Sequence, residues 1–305
     1  MGAGLLNKKL KNVRHKIEYS LLLVPLFILR LIPFSFSMKA ADSCAGIISS
    51  LIPVRRKIII RNLRTAFPEK SNNEIHSLYV QTIRSFLLFI VEFIHFPERS
   101  LDDLKSQVTS IEGEEYYREA GKDGKPFLVL TAHMGNWELM GAYFSSLGLP
   151  VSVLAKPVHN PFLDHLVNST RKDKGLEVIS TRKQAIKPVL KALRNGRCVA
   201  FLADQDARKS GVFADFFGKP ASTFTGPAMF SIRSGLPLLP VFDVRTGQKS
   251  HKVVFHPPLY PPEKTDRESA IREMTEKHVK ILEDMIRRYP GQYFWFHRRW
   301  KTQPR

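Results

Sequence analysis

Polar and apolar positions in the first forty residues are segregated rather than interleaved. Lys8, Lys9, Lys11, Arg14 and Lys16 form a basic run, and an apolar stretch from Leu21 to Pro33 follows, broken by Pro25 and Arg30. A spanning helix needs about 20 mostly apolar residues. This stretch reaches that length only if Arg30 is tolerated, so it reads as an interfacial or marginally spanning anchor, with a core helix and a cleaved signal as the competing readings. The basic run would suit an anionic leaflet.

Helical periodicity then dominates. Arg55 to Phe67 reads as a basic helix stopped by Pro68. Ser71 to Phe96 reads as a long amphipathic helix, with Ser71 as N-cap, Glu74 at the capping-box position and Pro97 as its stop. Ile111 to Ala120 reads as a further helix, followed by Gly121 and Gly124.

After Gly124 short apolar runs alternate with helical stretches. Strands are expected over Pro126–Ala132, Val151–Ala155, Leu176–Ile179, Cys198–Ala203, Leu238–Val244 and His251–Phe255. Helices are expected over Trp137–Ser146, Asn160–Lys174, Lys183–Asn195, Gly226–Ser234 and Arg267–Arg288. The alternation predicts an α/β fold with a mainly parallel central sheet flanked by helices, behind an N-terminal hydrophobic membrane-anchor helix. The expected organisation is an anchor over 1–40 and one domain over 41–305, with a helical lead-in (41–120) and an α/β catalytic part (121–305).

Charge adds a constraint. The 47 Lys and Arg against 28 Asp and Glu leave +19 over 305 residues. That balance points to polyanionic partners: nucleic acid, anionic lipid or an acidic protein. No helix-turn-helix, zinc-finger or RNA-recognition pattern supports nucleic acid. Cys44 and Cys198 have no metal spacing, and Asp204-x-Asp206 lacks the rest of a calcium loop. Neither a metal nor a cofactor is expected. A nucleophilic-serine elbow, a phosphate loop and a dinucleotide glycine pattern are all missing from the chain.

The chemistry concentrates after the first buried strand, at His133-Met134-Gly135-Asn136-Trp137-Glu138. In open α/β sheets ligands gather beyond the carboxyl ends of strands. Asn136 suits the N-cap of the next helix and places Glu138 in its first turn. On one regular helix two residues five apart point about 140° away from each other. His133 and Glu138 can therefore meet only across a strand-to-helix turn, and Gly135 permits that reversal. A neutral His can take the proton of a hydroxyl as its oxygen attacks an ester or thioester, with a carboxylate fixing the tautomer. The plainer reading is a loop histidine beside a helix-capping carboxylate.

This stretch resembles the His-x4-acid motif of the lysophospholipid acyltransferase superfamily. Its Gly-Asn-Trp-Glu form is similar to that of the lipid A biosynthesis lauroyl/myristoyl acyltransferases. Three more segments resemble that family: Arg61 to Pro68 (Asn-Leu-x-x-Ala-Phe-Pro), the loop from Asp204-Gln205 to Ala228, and Gln292 to Lys301. The match runs from about Arg55 to Lys301, and Lys209-Ser210 departs from the pattern. The resemblance implies transfer of an acyl chain from acyl carrier protein to a hydroxyl of a lipid A precursor, at the cytoplasmic face of a bacterial inner membrane. The catalytic pair it implies is His133 and Glu138. The family's helix arginine falls on Arg171, before Gly175, and its acidic-loop carboxylate on Asp204.

Other residues carry open readings. Arg171 could hold an acceptor phosphate or an oxyanion, or be a solvated arginine beside Lys172 and Lys174. Asp204 could pair with Arg171 or cap its loop, and Gln205 belongs to the same acidic loop. Thr225 reads as the N-cap of a helix opening at Gly226-Pro227, whose free amides could hold an anion. Arg298, Arg299, Lys301 and Arg305, interleaved with Tyr293, Trp295 and Trp300, suit a membrane interface or lipid phosphates, or single-stranded nucleic acid, where aromatics stack bases and arginines meet phosphates. The expected partners are acyl carrier protein, anionic membrane lipid and the lipid A precursor, for a monomeric protein.

Overall fold

A computed structural model describes residues 2–51, 55–181, 185–263 and 266–304, with the side chains of 2–9 left out of the description. Eleven α-helices lie within them: α1 (Gly2–Leu31), α2 (Phe34–Leu51), α3 (Arg56–Ala66), α4 (Asn72–His95), α5 (Leu101–Ser106), α6 (Glu114–Ala120), α7 (Trp137–Ser146), α8 (Pro161–Asp173), α9 (Ile186–Arg194), α10 (Gly226–Ser234) and α11 (Arg267–Arg288). The nine strands are β1 (Val108–Glu112), β2 (Leu128–Thr131), β3 (Val151–Ala155), β4 (Glu177–Ser180), β5 (Cys198–Leu202), β6 (Val212–Phe216), β7 (Lys219–Thr223), β8 (Leu238–Arg245) and β9 (His251–Phe255).

Seven strands make one sheet, in the order β1-β9-β8-β2-β5-β3-β4. Only β8 and β9 run antiparallel; the other neighbours are parallel. The expected α/β fold is therefore present. β2 sits near the middle with all four residues buried, which its continuous Leu-Val-Leu-Thr run requires of a strand covered on both faces. One apolar layer joins Phe127, Met140, Phe144 and Phe255 under α6 and α7; another joins Leu130, Val189, Leu193 and Phe230 under α9 and α10. The largest cluster ties α3, α4 and α11 to Trp295 and Phe296 of the closing segment.

Several expectations need correction. Ile111 to Ala120 is not one helix: edge strand β1 ends at Glu112 and α6 begins at Glu114, with Gly113 at φ 74° between them. A Cβ at Gly113 would lie 2.5 Å from the Phe255 carbonyl, so the chain turns where only glycine fits. The β6–β7 hairpin and the helix α2 were not anticipated, and α2 runs through position 40. The expected start of one helix at Lys183 lies outside the described residues. Ser71 does form the full capping box with Glu74.

The apolar N-terminal stretch is held at two points. His15 is buried, and its carbonyl accepts from Asn160 Nδ2 at 2.8 Å. Arg30 Nε donates to the Ile94 carbonyl at 2.9 Å, which explains a cation inside an apolar run. The helix between them covers ~22 Å at 1.5 Å per residue, short of a ~30 Å hydrocarbon core. The chain then bends by 110° into α2, which packs on α4. Leu21, Val24, Phe27, Ile28 and Leu31 remain exposed along α1.

The closing segment is also corrected. Tyr293, Trp295 and Arg299 are 3%, 1% and 1% exposed and belong to the interior. Arg299 donates to the Ser222 carbonyl at 2.5 Å and to Thr223 Oγ1 at 2.6 Å, and lies over the Phe216 ring. Arg298 and Lys301 are exposed, and Arg305 lies outside the described residues.

Candidate active site

β2 and β5 are adjacent parallel strands in which Thr131 pairs with Leu202. His133 and Asp204 each follow by two residues, so equal overhangs bring them together at the carboxyl edge of the sheet. Neighbouring strands lie about 4.8 Å apart, and the two side chains close that gap: His133 Nδ1 meets Asp204 Oδ1 at 2.8 Å. Asp204 is fully enclosed. Burial alone would raise its carboxyl, but the charge and hydrogen bond of His133 outweigh it and hold it below the usual carboxylate range. An ionised Asp204 needs a donor at Nδ1, so in the neutral form of the imidazole the proton stays there and Nε2 is the lone-pair nitrogen. Nε2 has no hydrogen bond among the described residues, and the His133 side chain is 23% exposed.

Glu138 takes a different partner. Arg171 Nη2 donates to its Oε1 at 2.6 Å and Arg171 Nε to its Oε2 at 3.0 Å, a two-pronged pair. Burial would lower the guanidinium, yet Glu138 outweighs it and leaves it raised. Asn168 Oδ1 accepts a further bond from Nη1 at 3.3 Å.

The turn between strand and helix is held from below. Gly135 has φ 57°, and a Cβ there would lie 2.3 Å from the Asp243 carbonyl. Asn136 caps α7, its Oδ1 accepting from Leu139 N. Its backbone N donates to Asp243 Oδ1 at 2.6 Å and its Nδ2 to Glu92 Oε2 at 2.7 Å. On the other flank Phe294 N donates to the His133 carbonyl at 2.9 Å, and Tyr293 Oη to the Asp204 carbonyl at 3.1 Å. Beside His133 opens a narrow, solvent-facing cleft with walls of Phe86, Phe89, Trp137, Phe294 and Phe296. The Trp137 and Phe294 rings stand 4.9 and 5.8 Å from the imidazole. The site thus combines a partly exposed imidazole, a buried carboxylate hydrogen-bonded to it and an apolar wall.

A family profile described as bacterial lipid A biosynthesis acyltransferase matches residues 6–302. The chain belongs to that family. Relatives include the lipid A biosynthesis lauroyltransferase and palmitoleoyltransferase of Escherichia coli K12, each 29% identical over 82% of this chain and 80% of theirs. The myristoyltransferase of the same organism is 24% identical over 82% of this chain and 76% of its own.

In this acyltransferase several expected contacts are redistributed. No hydrogen bond joins His133 to Glu138 among the described residues; the carboxylate on the imidazole is Asp204. Asp204 neither pairs with Arg171 nor merely caps its loop, because β5 lies next to β2. Arg171 is not a solvated arginine: it faces α7 and is committed to Glu138. Thr225 stands at the N-cap of α10 with helical backbone angles (φ −86°, ψ −6°), and its side chain makes no capping hydrogen bond. Thr225 and Gly226 contribute to neither carboxylate pair. Gln205 is half-buried beside Asp204, and Asp206 accepts from Thr302 Oγ1 at 3.0 Å. The residues missed by the sequence reading are Glu92, Asp243, Arg245 and His251 under the turn. Their one visible signal is a carboxylate inside the otherwise apolar end of α4.

Proposed function

We propose that this acyltransferase moves a fatty acyl chain from an acyl carrier protein thioester to a hydroxyl of a lipid A precursor, with His133 as general base. The observation that carries the proposal is the His133–Asp204 pair, which leaves Nε2 as a free lone pair beside an apolar cleft. Nε2 takes the hydroxyl proton while the oxygen attacks the thioester carbonyl. The carbon–sulfur bond then breaks, and the departing thiolate takes the proton back from the imidazolium, so Asp204 stays ionised throughout. The aromatic wall receives the acyl chain, each buried methylene contributing ~0.8 kcal/mol. The Arg171–Glu138 pair fixes α8 against α7 and leaves a guanidinium edge for the oxyanion or an anionic acceptor.

Arg56, Lys57, Arg61 and Arg64 are exposed on α3 and form no ion pair among the described residues, which supports docking of an acidic carrier protein. The exposed apolar side of α1 with Lys11, Arg14 and Lys16 supports attachment to an anionic leaflet at the cytoplasmic face of the inner membrane. The protein acts as a monomer in this scheme. The test is transfer of a labelled chain from purified acyl-carrier-protein thioester to purified acceptor by wild type and His133→Ala. The variant should lose at least ~10³-fold while keeping its melting temperature; near-wild-type transfer sinks the proposal. Lipid mass spectrometry of cells with and without the gene identifies the acceptor, its position and the chain.

A further inference from the structure

Beneath the catalytic turn lies a closed set of four charges. Glu92 on α4 accepts from Arg245 Nη1 at 2.7 Å and Nη2 at 2.5 Å. Its Oε1 also accepts from His251 Nε2 at 3.0 Å, while His251 Nδ1 donates to Asp243 Oδ1 at 2.8 Å. Both ring nitrogens face carboxylate oxygens, so both carry protons and His251 is an imidazolium. Two cations and two carboxylates balance, with none of the four more than 8% exposed.

Burying such a set is a poor route to stability. Desolvating four charges costs several kcal/mol each, and well-packed apolar residues of similar volume often do as well or better. What the set holds is more telling than what it weighs. Both carboxylates end on Asn136: Glu92 accepts a hydrogen bond from its Nδ2 and Asp243 one from its backbone N. Asp243 also forms the floor under Gly135. The Arg245 backbone exchanges two bonds with the Gln292 side chain (2.8 and 2.9 Å), and the Gln292 carbonyl accepts from Gly135 N at 3.1 Å. Four elements far apart in the chain thus converge on two consecutive residues just beyond His133.

We propose that Glu92 and Asp243, locked by Arg245 and His251, are positioning residues that set where the His133 imidazole stands relative to Asp204 and the cleft. They act through Asn136 and touch neither substrate nor imidazole. The proposal rests on His133 being the base. A misplacement of about 1 Å at a reacting group can cost about 100-fold in rate.

The decisive variant is Asn136→Ser. Serine caps a helix about as well as asparagine, so α7 keeps its cap, but the donor to Glu92 is gone. The expected result is a ~100-fold fall in kcat with KM changed less than ~3-fold and a melting temperature within a few degrees of wild type. A second variant, Asn136→Asp with Glu92→Gln, moves one carboxylate from 92 to 136 and reverses the donor between them. It keeps the cap and the charge count but gives up part of the Arg245 fork, because Glu92 Oε2 accepts from both Asn136 and Arg245; any recovery over Asn136→Asp alone supports the positioning. The third measurement needs no turnover. The rate at which diethyl pyrocarbonate modifies His133, followed by peptide mass spectrometry from about pH 5 to 8, reports the placement of Nε2 and its proton. That rate profile should shift in Asn136→Ser. If wild type shows no transfer while the profile shifts, the proposed reaction fails and the positioning survives. Wild-type kcat and an unmoved His133 profile in a folded Asn136→Ser protein overturn the positioning.

Discussion

Replacing Gly135 by alanine separates two costs that usually arrive together. Gly135 sits at φ 57°, where an L side chain costs about 1–2 kcal/mol. Its added Cβ would also lie 2.3 Å from the Asp243 carbonyl and 2.4 Å from Asp243 Oδ1. Asp243 cannot step aside cheaply: it lies in fully buried β8, and its Oδ1 already takes bonds from Asn136 and His251. Forcing atoms into such a site adds about 1–3 kcal/mol, for a total of ~2–5 kcal/mol. Gly148 and Gly196 provide the controls. Their φ values are 76° and 74°, and a Cβ at either would meet nothing within 4 Å. Alanine there carries only the backbone cost, ~1–2 kcal/mol. At ~2–4 °C per kcal/mol for a domain approaching this size, Gly135→Ala should lower the melting temperature by ~4–20 °C and the controls by ~2–8 °C. The assay is a melting curve of each purified variant under one condition. A Gly135→Ala shift no larger than those of the two controls refutes the contact with Asp243, and with it the floor under the turn.

Two further outcomes test the charges. Burial opposes the His251 imidazolium, but Asp243 and Glu92 raise it to about 9, whereas Glu92 is lowered to about 2 against its own burial. Stability from a raised histidine is complete below ~6.5 and lost as pH climbs through about 9, a loss of ~3 kcal/mol. Stability from Glu92 is complete above ~4.5 and lost as pH falls toward 2. Unfolding followed from about pH 7.5 to 9.5 should show a steeper alkaline loss in wild type than in His251→Gln; identical slopes would remove His251 as its source. Arg171→Lys keeps the charge but gives up one of two bonds to Glu138, each contributing ~1.5–3 kcal/mol. Transfer should fall ~10–100-fold, and an unchanged rate would show that Glu138 needs no fork.

The sequence made His133 legible because a buried strand, a glycine and an N-cap asparagine stand in a row around it. Its partner was not legible in the same way. Asp204 reaches it only because β5 is the hydrogen-bonded neighbour of β2, a matter of strand order across a separation of 71 residues. Glu138 looked like the partner because it is close in sequence, but a residue on the first turn of α7 points toward α8 instead. Glu92 and His251 were hidden for a related reason. Each occupies a position that the apolar pattern assigns to the core, and a buried charge shows its purpose only beside its counter-charges. Arg299 and Trp295 misled in the opposite sense, since a basic and aromatic cluster at a chain end suggests a surface. The edge strand β1 has only partly apolar positions, so its last two residues, Ile111 and Glu112, merged with the helix that follows.

The strand order has an implication for how this enzyme diversifies. β3, β4 and the helices around them lie on the far side of β5 from β2, although the chain visits them between His133 and Asp204. That intervening stretch of 70 residues is an excursion that leaves from and returns to a fixed frame. Because β5 pairs directly with β2, the distance between Asp204 and His133 is set by those two strands and not by the length of the excursion. Arg171 ties that stretch to the helix after His133 by hydrogen bonds, beside the packing of Leu176 on Gly141, so the grip on Glu138 is a place where altered selectivity at the edge would be felt at the centre.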